Sequence, residues 1–161
     1  MDAEIIPVGI AQAAVAGPPQ SLAAYALGSC VAICLYDARK RIAGMAHVLL
    51  PASGKAKSCE NPFKFADSGL AALVERMERG GAMRGRLQAK LAGGAEMFGT
   101  LYAKGEGIGK KNSDAALAEL LRLNIPVVAV DIGADYGRTI FFSAETGLLK
   151  VKAARHGERI I

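Results

Sequence analysis

Between Gly28 and Pro51 two short apolar stretches flank a polar turn. Val31 to Tyr36 reads VAICLY, rich in strand-forming residues. Asp37-Ala38-Arg39-Lys40 is turn-like, and Arg41 to Leu50 (RIAGMAHVLL) is a second apolar run stopped by Pro51. Two such runs around a tight turn predict a β-hairpin. Short runs of this kind recur. Residues 4–16 alternate weakly, as one or two strands, and residues 22–27 are apolar up to Gly28. Leu87 to Leu91 runs into Gly93-Gly94, and Val127 to Ile132 is strongly apolar. Gly133 to Gly137 reads as a turn. Arg138–Ser143 and Leu148–Ala153 form a last hairpin around Glu145-Thr146-Gly147. Only two segments have helical spacing. Lys64 to Arg79 places Ala66, Leu70, Leu73, Val74 and Met77 on one stripe, ended by Gly80-Gly81. A second helix is predicted to be capped by Asn112 or Ser113 and to reach Leu123, with Asp114 in its first turn. Residues 51–62 and 99–111 read as loops. Strands outnumber helices and are mostly hairpin-linked, which favours an α+β fold over a doubly wound one.

The chain of 161 residues suits one domain spanning 1–161, with no linker or repeat. Its 52% hydrophobic and 22% charged residues describe a soluble globular protein. No apolar run approaches the ~18 residues that would span a bilayer. The start, MDAEIIPVG, lacks the basic and long apolar regions of a secretory signal, so the expected compartment is the cytoplasm. A reducing cytoplasm keeps Cys30, Cys34 and Cys59 as thiols. No CxxC pair is present, so neither a metal nor a cofactor is expected. The net charge of +5 is dispersed, which suits a solvated basic surface or an acidic protein partner. Without Trp, and without a basic stripe interleaved with aromatics, nucleic acid is not an expected partner.

One Cys-His pair has chemical promise. Cys30 follows Leu27-Gly28-Ser29, where glycine permits a sharp turn and a close substrate approach, and where backbone N–H groups can face an oxyanion. His47 lies in the apolar run of the other hairpin arm, so antiparallel folding returns it toward Cys30. An adjacent imidazole would activate a thiol that is otherwise mostly protonated at neutral pH. Cys34 reads as a small core residue, Cys59 as a loop residue and His156 as a surface one. Phe63, Phe65 and Arg138 either border the cleft or pack beneath it. Gly93-Gly94 and Gly105-x-Gly107-x-Gly109 make a poor phosphate cradle, since the spacing is not G-x-G-x-x-G.

The run LGSCVAICLYDARKRIAGMAHVLLP (27–51) resembles the CheD family of chemoreceptor glutamine deamidases. KFADSGLAALVERM (64–77), AKLAGGAEMF (89–98), IGKKNSDAAL (108–117) and DIGADYGRTIFFSAETGLLKVK (131–152) resemble its further blocks, in order. The resemblance implies an α+β fold of mixed or antiparallel β-sheets packed together with helices outside, similar to a glutamine-deamidating toxin domain. It implies Cys30 as nucleophile and His47 as base. The substrate would be glutamine side chains on the helical cytoplasmic bundle of chemoreceptors, and a CheC-type phosphatase would be a binding partner. A monomer is the default expectation. One departure stands out: the family's usual Thr, six residues before the Cys, is here Ala24. Three readings then compete, the first two being that a backbone carbonyl orients His47 and that Ser21 or Tyr25 supplies a hydroxyl. Alternatively the chain is a weakened enzyme that acts as a binding regulator. A strand would point Tyr25 away from the face of Ala24. A thiol redox sensor built on Cys30, Cys34 or Cys59 is the remaining alternative.

Overall fold

A computed structural model describes residues 3–54, 61–98 and 107–161. Cys59 and Gly105 lie outside these residues. The described chain forms ten strands and two α-helices. The strands are β1 (Ile5–Pro7), β2 (Gln12–Ala16), β3 (Ser21–Leu27), β4 (Val31–Asp37), β5 (Ile42–Val48), β6 (Leu87–Gly93), β7 (Val127–Ile132), β8 (Arg138–Ser143), β9 (Leu149–Ala153) and β10 (Gly157–Ile160). The helices are α1 (Ala66–Arg79) and α2 (Ile108–Arg122).

The strands make two five-stranded sheets, ordered β1-β3-β8-β9-β10 and β2-β5-β4-β6-β7. Each is mixed: β1 runs parallel to β3 and β6 parallel to β7, while the other pairs are antiparallel. The fold is thus the layered α+β arrangement expected from the sequence. Alternation along β4 explains the layering. Val31, Ile33 and Leu35 face the helices, where they pack with Ala46, Val48, Leu70, Leu73, Met77 and Leu120. Ala32 and Cys34 face the other sheet, with Leu22, Ala24, Met45, Ile140 and Phe142. Because β4 is buried on both faces, its sequence is a continuous apolar run rather than a clean alternation.

The predicted hairpin forms in the register Val31↔Val48, Ala32↔His47 through Asp37↔Ile42. Asp37 locks its turn. Its Oδ1 accepts from the N–H groups of Arg39 and Lys40 at 3.1 and 3.2 Å, and its Oδ2 from Met83 N–H at 2.9 Å. Arg86 donates to both oxygens, the closest contact being 2.8 Å. Burial alone would push this carboxyl up, but these donors hold it down at about 2.

Two expectations need correction. The second helix begins at Ile108, so Asn112 and Ser113 sit buried in its second turn and Asp114 is not in its first. Its N-terminus is served by a residue distant in sequence: Lys110 N–H donates to Glu96 Oε1 at 2.9 Å. Nothing local announces that cap. The predicted final hairpin is not the end of the sheet: the segment after Ala153 forms β10 on β9. All four of its residues are exposed, so no apolar alternation marked it as a strand.

Candidate active site

Cys30 sits immediately before β4, in a turn sewn to the end of β6. Ala95 N–H donates to Gly28 O and Gly94 N–H to Cys30 O, both at 2.9 Å. Gly93 makes that approach possible. It adopts φ +109°, and a Cβ there would lie 2.2 Å from the Cys30 carbonyl oxygen. The Gly93-Gly94 pair therefore serves backbone contact with the Cys30 turn. Met97 lies over the same turn, its sulfur 3.0 Å from where a Gly28 Cβ would be.

His47 reaches this turn through the hairpin register. It pairs with Ala32, two residues beyond Cys30, and residues two apart share a strand face. Cys30 and Ala32 both belong to the inter-sheet core, as does Met45, two residues before His47. His47 is thus diagonal to Cys30 in the hairpin register, a relation that typically separates Cα atoms by ~7–8 Å.

The imidazole is fixed by Val8. Its Nδ1 lies 3.0 Å from the Val8 carbonyl oxygen. A carbonyl only accepts, so Nδ1 carries the proton and Nε2 is left with its lone pair. Val8 is itself held against β3, where its N–H donates to Ala23 O at 2.7 Å. Ala24 is fully buried on the inter-sheet side, while Tyr25 is about half exposed and packs on Phe141. Ser21 lines a groove on the outer face of the same sheet with Ile5, Phe141 and Lys150. Of the replacements considered for the missing Thr hydroxyl, the backbone carbonyl is therefore the one observed. No sequence signal pointed to Val8, because the group is main chain.

Both candidate groups are biased toward neutrality. Burial pushes the Cys30 thiol up, against a smaller downward pull from its own backbone N–H. Burial lowers His47, partly offset by its bond to Val8 O. A standing thiolate–imidazolium pair is not what this environment favours. Cys34 is wholly buried, and desolvation raises its thiol strongly, in keeping with a core residue. Phe63 and Phe65 pack in the interior. Arg138 is also buried, donating to Asp131 Oδ1 at 2.7 Å and to Gly133 O at 2.9 Å. These three belong to packing. His156 is exposed and stacks on Tyr136 at 3.9 Å between centroids.

Comparison with known proteins places this architecture. The model of the family described as CheD chemotactic sensory transduction matches residues 49–153. The chain belongs to the CheD family. The probable chemoreceptor glutamine deamidase CheD of Syntrophomonas wolfei is 45% identical over 162 residues, covering 98% of this chain and 99% of that protein. The counterpart from Caldanaerobacter subterraneus is 44% identical, with 100% of both chains covered. The chemoreceptor glutamine deamidase CheD of Halalkalibacterium halodurans is 41% identical, covering 98% and 99%. The family model begins after Cys30 and His47, whereas the likeness to these CheD relatives extends over nearly the whole chain.

Proposed function

We propose that this chain deamidates glutamine side chains of chemoreceptors, with Cys30 as nucleophile and His47 as general base. The names of its CheD relatives supply the reaction. The observation that carries the residue assignment is the His47 Nδ1 contact with Val8 O, which leaves Nε2 basic on the face shared with Cys30.

His47 Nε2 removes the Cys30 thiol proton as the sulfur bonds to the carboxamide carbon. The carbonyl π electrons move to oxygen, and backbone donors at Ser29 and Cys30 stabilise that oxyanion. The oxyanion collapses, the C–N bond breaks, and the imidazolium proton leaves with ammonia. Water, deprotonated by His47, attacks the resulting thioester. The C–S bond breaks, the imidazolium returns its proton to the departing sulfur, and glutamate is left on the receptor. Because both groups rest in their neutral forms, proton transfer accompanies attack rather than preceding it.

Cytoplasmic residence, action as a monomer and a CheC-type partner belong to the same proposal. Ala24 favours a second reading, an inactive regulator of such a phosphatase; the Val8 contact weighs against it. Incubation with a soluble glutamine-bearing receptor fragment separates them. The expected result is ammonia release and a gain of about one dalton per modified site, both abolished in Cys30→Ala with binding retained. An inert wild-type protein, or a fully active Cys30→Ala, refutes the assignment.

A further inference from the structure

Asn112 stands out among the described residues that the reaction scheme leaves unused. It is wholly buried in α2, yet its side-chain amide reaches the turn carrying Cys30. Its Nδ2 donates to Ser29 O at 2.9 Å and to Leu49 O at 3.0 Å. Its Oδ1 has no hydrogen-bond partner among the described residues. A residue needed only to fill space under the helix would be better served by leucine, which leaves no buried acceptor idle. Asn112 therefore serves as a donor, and both its protons go to carbonyls flanking the candidate catalytic pair.

The Ser29 carbonyl belongs to the peptide unit whose N–H is that of Cys30. That bond is trans, and in a planar trans peptide C=O and N–H point in opposite directions. Drawing Ser29 O toward the helix turns Cys30 N–H the other way, toward its own sulfur. The carbonyls on either side are already held, Gly28 O by Ala95 and Cys30 O by Gly94. Asn112 secures the one between them. Its second bond, to Leu49, grips the strand end two residues past His47.

We propose that Asn112 is a positioning residue for the deamidation: it pins the Ser29–Cys30 peptide so that Cys30 N–H faces the substrate oxyanion. The proposal rests on Cys30 being the nucleophile. It makes a distinction that general packing would not. Alkylation of Cys30 by iodoacetamide passes through no oxyanion, so it loses only the small pull of this N–H on the sulfur, whereas amide hydrolysis loses the oxyanion donor itself.

The test compares wild type, Asn112→Leu and Cys30→Ala on the receptor fragment, with Cys30 alkylation followed by peptide mass spectrometry. In Asn112→Leu, kcat is expected to fall at least ~10-fold, since removing an oxyanion donor outright costs ~10²–10³. KM and the Cys30 alkylation rate should stay within about twofold. An Asn112→Leu kcat within about twofold of wild type, with Cys30→Ala dead, overturns the role of Asn112 alone. A parallel fall in kcat and alkylation also overturns it, since the whole site has then been disturbed. An active Cys30→Ala overturns the nucleophile assignment and this proposal with it. Should Asn112→Leu not fold, amide exchange in the wild-type protein decides. Side-chain N–H protons of Asn112 protected from solvent support the pin, and exchange at the rate of a free amide overturns it.

Discussion

Asp37 tests whether the hairpin that assembles the site depends on its turn. Its side chain is fully buried and receives six donated contacts, from Arg39, Lys40, Met83 and Arg86. Asp37→Asn keeps the shape, removes the charge and turns an NH2 group toward donors. The folded carboxyl titrates at about 2, against 3.8 for an ordinary one. At ~1.4 kcal/mol per pH unit, that difference is about 2 kcal/mol of stability. The folded-state pKa is depressed, so the contribution is present in full above the unfolded value and is lost as pH falls from about 4 through about 2. Asp37→Asn should therefore lower unfolding stability at pH 7 by ~2–3 kcal/mol, or Tm by roughly 4–10 °C for a chain of this size. Urea denaturation at pH 7, repeated at several pH values down to about 2, measures both the size and its pH dependence. The gap between wild type and variant should shrink toward zero at the acid end. A gap under ~0.5 kcal/mol at pH 7, or one unchanged across the titration, would refute the reasoning.

Deamidation should keep its activity further into acid than an ordinary imidazole allows. Burial lowers His47, and the neutral ring is the base, so the acid limb of kcat/KM is expected below pH ~6.5; a limb above that value contradicts the burial argument. Gly93→Ala places a methyl 2.2 Å from the Cys30 carbonyl at φ +109°. It should destabilise the fold by at least ~2 kcal/mol and lower kcat by more than ~10-fold, as read by thermal melting and ammonia release.

Most of the elements could be read from the chain because their signals are local. The hairpin from Val31 to Val48 is written as two apolar runs around Asp37-Ala38-Arg39-Lys40, and α1 as a 3.6-residue stripe. The resemblance across residues 27–51 singled out Cys30 and His47, and the hairpin alone was enough to bring them to one neighbourhood. The start of α2 is not legible in the sequence because its cap is Glu96, far away in the chain, and because Asn112 is a cap-type residue whose amide is spent on Ser29 and Leu49. β10 is not legible either, because an exposed edge strand needs no apolar code.

The amino-acid sequence by itself determined the β4–β5 and β8–β9 hairpins and the apolar stripe of α1, since these follow from periodicity and short turns. Only the tertiary structure decided how Cys30 and His47 are held. The ring is oriented by Val8 O, the turn is admitted by the missing side chain of Gly93, and the peptide before Cys30 is bound by Asn112. These are contacts between main-chain atoms, empty space and residues distant in the chain. Sequence spacing does not announce them, because their partners lie far apart in the chain and are chosen by packing.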